Sequence, residues 1–299
     1  MTETEIGQLR HRLKGRLPLG FGVSGPLATR LFSSSDIDRL IGTARDQGIS
    51  IFDTAPSYGA GLGERRIGDT IGNDTSAFVM TKAGLTAKGW FDRSPSFVPE
   101  NIVQNVEASL RRLKRDRIDL LWLHGPGRDQ IDDRLKARLA VLIQAGKVAA
   151  VGIASRNQPA SALAGDAPFS AIMAPVSDAK SARQPELSDP VFFGIECLRN
   201  VPSDGRIPRH RSHLWRATKA LLRKQQPVAD SVSAVTAFDF AFETARCDIA
   251  MTTTTRSSRI EQNRMICEAI ADRRRTTVNR PRVRSRQIAS EPHAADFRV

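Results

Sequence analysis

Short apolar runs alternate with amphipathic stretches along most of this chain, and that alternation constrains its fold more than any other feature. Leu17–Val23 is a first buried strand. Ser35 and Asp38 read as the N-cap and capping partner of a helix whose apolar face is Ile37, Leu40, Ile41 and Ala44, and Gly48 sits where that helix should stop. Ile49–Phe52 is a second strand, ending at Asp53. A glycine-rich loop leads to a short helix over Glu64–Ile71, and Phe78–Thr81 is a third strand. Pro99 suits the first turn of a helix carrying Ile102, Val106, Leu110 and Leu113 on one face. Ile118–Leu123 and Val148–Ile153 are the next two strands, and between them Leu135, Leu139, Leu142 and Ile143 mark a helix closed by Gly146. Beyond Ser155 the pattern thins. Phe169–Met173 and Val191–Ile195 are strand-like within an irregular region, helices are expected near 214–223 and 231–244, Ile249–Thr252 is a last strand, and Ser257–Ala271 is a last helix.

Repeated strand and helix are the mark of parallel βαβ units. Eight candidate strands in 299 residues fit one α/β domain, a (β/α)8 TIM barrel with an irregular sixth-to-seventh strand region. An open doubly wound sheet is the alternative. The division expected is a flexible N-terminal segment over 1–14, the barrel over 15–272 and a basic, disordered tail over 273–299. From Asp272 to Val299 there are eight arginines against three acidic residues, with almost no large apolar side chains to bury.

Composition narrows the function classes. No run approaches the roughly 20 apolar residues that span a bilayer, and the first residues lack the apolar core of a secretory signal. A cytoplasmic protein without a membrane partner is expected. Cys197, Cys247 and Cys267 are odd in number and scattered, which suggests reduced thiols rather than disulfides. Neither they nor the five histidines have metal-ligand spacing, so no metal is expected. The net charge of +13 favours anionic partners. Nucleic acid is not the expected partner, because the tail arginines lack interleaved aromatic residues apart from Phe297, although the basic tail leaves that contact open.

Four polar residues fall where a β/α barrel keeps its chemistry, at the carboxyl ends of strands and in the loops after them. Asp53 ends the second strand, Tyr58 follows in its loop, Lys82 ends the third strand and His124 ends the fourth. Their types suit carbonyl reduction, which needs hydride on carbon and a proton on oxygen. A phenol is a poor acid-base group at neutral pH unless a nearby ammonium favours the phenolate, and Lys82 is placed to do this for Tyr58. Asp53 would hold Lys82 and offset the cost of its buried charge. His124 would orient the substrate carbonyl and stabilise the developing oxyanion, with Tyr58 as general acid. Tyr58 is the only tyrosine in the chain and lies in a polar loop rather than on an apolar face. Taken singly, each has a plainer role: a helix cap, a rim lysine, a loop histidine or a packing ring.

These residues sit in the string DTAPSYGAGLGERRIG (Asp53–Gly68), which resembles the signature of the aldo-keto reductase family. The strings MTKAG, SLRRLKRDRIDLLWLHGP and GKVAAVGIAS follow in that family's order and spacing. TTTTRSSRIEQN (Thr252–Asn263) is similar to its segment for the adenosine phosphate of NADP. The signature is most similar to the branch containing aldose and pyridoxal dehydrogenases. The resemblance implies an (α/β)8 barrel using NADP, with NAD as the alternative, on a small carbonyl or sugar substrate. It assigns Asp53, Tyr58, Lys82 and His124 to a catalytic tetrad. It assigns Thr254, Arg259, Gln262 and Asn263 to the cofactor, with Arg259 at the 2′-phosphate and Gln262 where the family usually has glutamate.

The chain also departs from the family. Ala154-Ser155 stands where the family has Ser-Asn to hold the nicotinamide carboxamide, and Met173 stands for its glutamine. No tyrosine is left to stack on the nicotinamide. Two outcomes are open for the cofactor: Ser155, Asn157 and either Phe192 or Phe193 rebuild the pocket, or binding is weak; Trp90 equally suits a substrate wall or simple packing. The reading from another class is a non-catalytic or weakly active nucleotide-binding barrel with a regulatory or docking role.

Overall fold

The computed structural model describes residues 4–88, 92–156, 167–176, 189–199, 201 and 232–278. Ten strands occur among them: β1 (Leu19–Gly22), β2 (Ile51–Asp53), β3 (Phe78–Ala83), β4 (Leu85–Lys88), β5 (Asp92–Pro95), β6 (Leu120–His124), β7 (Val151–Ala154), β8 (Phe169–Pro175), β9 (Val191–Ile195) and β10 (Ile249–Thr252). Eight of them close in the order β1-β10-β9-β8-β7-β6-β3-β2, every pair parallel. This closed barrel excludes the doubly wound sheet. β4 and β5 form a separate antiparallel pair after β3.

The pleat separates two cores. One face of the strands contributes Ile51, Phe78, Met80, Leu120, Trp122, Ala171, Met173, Val191, Phe193, Ile249 and Met251 to a cluster inside the barrel. The residues between them, such as Phe52, Val79, Leu121, Leu123, Ile153 and Phe192, turn outward. There they meet α2 (Ser34–Asp46), α3 (Leu62–Ile71), α4 (Pro99–Leu113), α5 (Asp133–Gln144), α6 (Ala234–Asp239) and α7 (Ser257–Val278). The period of two is therefore legible in which cluster each residue joins. Gly20 shows how tightly the interior is filled: a Cβ there would lie 2.3 Å from the Met251 sulfur.

The helices follow their sequence signals with small displacements. α2 is capped by Ser33, not Ser35. Ser33 Oγ accepts from the Asp36 N–H at 3.1 Å, and Asp36 accepts in return from the Ser33 N–H. That reciprocal pair satisfies two N-terminal donors at once, two residues earlier than the expected start. Asp132 caps α5, and Pro99 opens α4.

Within the segment 1–14, expected from the sequence as a flexible leader, residues 5–13 form a helix. α1 (Glu5–Leu13) buries Leu9 and Leu13 in the interior cluster and packs against β8 and β9. Arg10 pairs with Asp248 at 3.1 Å and Arg12 pairs with Asp119. Asp119 also accepts from the Val79 N–H at 2.8 Å. Since Phe78, Leu120, Val191 and Ile249 begin their strands, α1 plugs the amino end of the barrel. At the other terminus α7 runs six residues into the expected tail, and Arg273 and Arg274 pair with Asp239 and Glu243. The helix expected near 214–223 and residues 279–299 lie outside the described residues.

Candidate active site

Strand parity builds the site. On β2 the inward residues are Ile51 and Asp53, on β3 they continue from Phe78 and Met80 to Lys82, and on β6 from Leu120 and Trp122 to His124. Each polar residue thus stands one layer above an apolar one, at the carboxyl mouth. The register keeps them together: Gly22 lies level with Asp53, and His124 with Ala154.

Tyr58 reaches the same place through its loop. The Tyr58 N–H donates to Ala55 O at 3.0 Å, and Gly59, Ala60 and Gly61 then all take positive φ. Three left-handed residues in succession reverse the chain tightly into α3, and glycine adopts that conformation at little cost. A Cβ on Gly59 would also fall 1.9 Å from Ala28 O, and one on Gly63 would fall 2.5 Å from Thr54 Oγ1. The rest of the signature string is scaffold. Glu64 is fully buried, accepting from Thr81 Oγ1 at 2.6 Å and from Arg112 Nε at 2.5 Å. Arg66 donates to the carbonyls of Leu27 and Phe32. Glu64 therefore ties the Tyr58 loop and helix to the residue before Lys82.

Lys82 Nζ donates to Asp53 Oδ2 at 2.5 Å and to Thr54 O at 2.8 Å, and both side chains are buried. Its ammonium sits 5.0 Å from the centre of the Tyr58 ring. The Tyr58 and His124 rings meet edge to face, with centres 6.1 Å apart. Burial pushes the Asp53 carboxyl above its ordinary range, against the pull of Lys82. Burial also pulls Lys82 down, but the attraction of Asp53 and of Tyr58 outweighs it and holds the ammonium above its ordinary range. Lys82 is thus kept charged in an enclosed place. Asp53 Oδ1 is buried and makes no hydrogen bond within the protein.

A cavity of about 890 Å³ opens over these groups. Asp53, Tyr58, Lys82, His124 and Ser155 all line it. Thr254, Arg259, Gln262 and Asn263 do not. They follow β10, whose end supplies Thr252 and Thr253 to the lining, and lie in the turn before α7 and in its first two turns. There Thr254 Oγ1 accepts from the Arg256 N–H at 3.2 Å, Gln262 is exposed and Asn263 is buried.

Neither phenylalanine expected to stack on a nicotinamide faces the cavity. Phe193 points inward one layer too low, edge-on to Trp122 at 5.2 Å, and Phe192 points out toward the helices. Parity on β9 gives the mouth position to Ile195 instead. Met173 does line the cavity, as does Ser155. Asn157 and Trp90 lie outside the described residues. Sequence reasoning missed Leu85 and Pro95 of the β4–β5 pair, and the charged residues Arg156, Glu196 and Arg199. Only Arg156, beside Ser155, had a nearby signal. Among the described residues, no group of three His, Cys, Asp or Glu side chains is placed to hold a metal ion.

A closed parallel barrel with polar residues at its carboxyl mouth defines a (β/α)8 protein of the TIM class. A family model described as the aldo/keto reductase family matches residues 18–189, and the chain belongs to that family. The chain is 33% identical over 163 residues to D-threo-aldose 1-dehydrogenase of a Pseudomonas species, a match covering 46% of this chain and 49% of that one. It is 32% identical over 163 residues to L-galactose dehydrogenase of Arabidopsis thaliana, covering 51% and 49%. The chain spans about half the length of the curated relatives it matches. An aldo-keto reductase of Bacillus halodurans, solved in its holo form, superposes with a TM-score of 0.65 at 21% identity, over 84% of this chain and 86% of that one. That likeness bears on the fold alone.

Proposed function

We propose that this chain is an NADP-dependent oxidoreductase that interconverts a carbonyl compound (an aldehyde, a ketone or a sugar hemiacetal) with its alcohol or lactone. The observation that carries this reading is the convergence of Asp53, Tyr58, Lys82 and His124 on one cavity, with the Lys82 ammonium buried against both a carboxylate and the only tyrosine ring.

The residues present suit a nicotinamide dinucleotide. A cavity of about 890 Å³ is at the upper end of the range for small-molecule and cofactor sites. It runs from the tetrad to Thr252 and Thr253, next to the amino end of α7, where the positive end of the helix and the Arg259 guanidinium favour a phosphate. Asp53 Oδ1, buried and unsatisfied, is an acceptor that a ligand hydroxyl would fill. Ser155, Thr254, Arg259, Gln262 and Asn263 are the proposed cofactor residues. When bound, the reduced nicotinamide supplies hydride to the carbonyl carbon.

The protein's own groups handle the oxygen. Tyr58 donates its hydroxyl proton to the carbonyl oxygen in reduction and takes it back in oxidation. Lys82 stabilises the negative charge left on the Tyr58 oxygen, and Asp53 fixes Lys82 in place. His124, ring to ring with Tyr58, orients the carbonyl and stabilises charge building on its oxygen. Three buried, free thiols suit a reducing compartment, and the cytoplasm is the proposed location.

Fluorescence titration with NADPH tests the cofactor side. Saturable binding at micromolar concentration, lost in Arg259→Ala, is expected. No binding below millimolar NADPH would sink the oxidoreductase reading in favour of a barrel with another task.

A further inference from the structure

One fully buried carboxylate lies outside the cavity. Glu64 stands in the first turn of α3, and neither it nor its partner Arg112 is among the residues that line the cavity. A carboxylate in that setting is costly unless its oxygens are bonded, and here both are. Oε1 accepts from Thr81 Oγ1 at 2.6 Å, and Oε2 accepts from Arg112 Nε at 2.5 Å. Apolar side chains of similar volume often stabilise such a place as well as a buried ion pair does. What the charged pair adds is direction.

The three residues belong to the parts that must be aligned for Tyr58 to meet Lys82. Thr81 precedes Lys82 on β3, Glu64 lies in the helix that follows the Tyr58 loop, and Arg112 lies in the last turn of α4. The Gly63 N–H, next to Glu64, donates to Tyr58 O at 3.3 Å, so the helix start is tied to the tyrosine backbone. Arg112 also packs against the loop itself. A Cβ on Gly61 would lie 2.7 Å from Arg112 Cδ and 2.8 Å from its Nε. The arginine stem therefore fills the space beside the left-handed turn at Gly59–Gly61. α3 and α4 come equally close at their backbones, since a Cβ on Gly68 would fall 2.2 Å from Arg112 O. α4 thus holds both the loop that carries Tyr58 and, through Glu64, the strand that carries Lys82.

We propose that Arg112 and Glu64 are positioning residues, a buried brace that sets the Tyr58 ring against the Lys82 ammonium and thereby sets the rate of proton transfer. The inference rests on the oxidoreductase reading for its effect on turnover, while its effect on Tyr58 is independent of turnover. The ring centre lies 5.0 Å from the ammonium. A misplacement of about 1 Å in a reacting group costs about 10²-fold in rate.

The test compares three full-length proteins: wild type, Arg112→Met and Glu64→Gln/Arg112→Met. Arg112→Met strands a buried carboxylate and should lower the urea midpoint by about 1 M. In the double variant an amide oxygen still accepts from Thr81 Oγ1, no charge is stranded, and most of that loss should return. Stability and positioning are thereby separated. The first readout is kcat at saturating NADPH with succinic semialdehyde and with butyraldehyde, one charged and one neutral aldehyde. Both variants should lose about 10- to 10²-fold, with NADPH affinity within about threefold of wild type. The second readout is the NMR spectrum of protein grown on ring-labelled 13C-tyrosine, in which Tyr58 is the only tyrosine and reports alone. Its ring signal should move in both variants, measured well below the unfolding midpoint. A double variant with wild-type kcat, or with an unmoved Tyr58 signal, would overturn the brace, because Glu64 and Arg112 would then serve stability alone. A Tyr58 signal that moves in both variants of a protein whose wild type turns over neither aldehyde would instead reject the oxidoreductase reading and leave the brace standing.

Discussion

At the scale of single residues, Asp53 and Lys82 show what a buried ion pair asks of its neighbours. Both are enclosed, and the pair is held by the 2.5 Å contact and by Thr54 O. Removing one partner leaves a bare charge. Lys82→Met should lower unfolding free energy by about 3–5 kcal/mol, read as a shift in urea midpoint, whereas Asp53→Asn/Lys82→Met should recover most of that loss. A double variant as unstable as the single one would mean that packing, not charge, sets the cost. The positions of these residues were legible in the sequence because a period of two and the ends of apolar runs predict which side chains face the mouth. The same period of two holds along β9. It places Phe193 below the mouth beside Trp122 and Phe192 outside, so neither can serve as a stacking ring. Arg156, Glu196 and Arg199 gave little signal because they follow strands in loops, where spacing carries no information about direction.

At the scale of elements, all eight barrel strands were legible as apolar runs bounded by turn residues, and most helices as amphipathic stretches between them. α1 was not. It offers Ile6, Leu9 and Leu13 at helical spacing in an otherwise polar and charged setting, and its value comes from closing the amino end of the barrel rather than from its own periodicity. That role makes it testable. Leu9→Ala should cost about 2–5 kcal/mol of stability through the cavity it leaves in the interior cluster. NADPH affinity, measured well below the unfolding midpoint, should stay within about twofold, since α1 lies at the end opposite the site. A selective loss of NADPH affinity with little loss of stability would contradict the assignment of α1 as a plug. The glycines of the Asp53–Gly68 string were readable as a loop, but their reason was not. Close approach to Ala28 O and Thr54 Oγ1 is a tertiary fact.

At the scale of the whole molecule, the fold gathers what the sequence scatters. Cys197, Cys247 and Cys267 come from β9, β10 and α7 or the turns beside them. All three are buried, and Cys247 lies close enough to the other two to feel their charge. Burial pushes the Cys197 thiol up to about 12 and raises the other two as well. An unfolded thiol ionises near pH 8.5. Below that value the thiols are neutral in both states and their contribution to stability is fully present. As pH rises from about 8.5 toward 12 the unfolded state loses protons that the folded state keeps, so stability falls by up to about 1.4 kcal/mol per thiol per pH unit. Thermal unfolding followed between pH 8 and 11 should therefore drop less steeply in a variant with all three cysteines replaced by alanine. Equal slopes would count against buried thiols as a source of the alkaline loss.

On the proposed function, this barrel moves a proton through Tyr58 at a site built from four strand-end and loop residues. Its most direct test is NADPH-dependent reduction of succinic semialdehyde by Tyr58→Phe, with NADPH affinity measured on the same preparation. The expected result is a fall in kcat of about 10²–10⁴, the usual contribution of a positioned general acid, with NADPH affinity within about threefold of wild type. Turnover by Tyr58→Phe at the wild-type rate would contradict it.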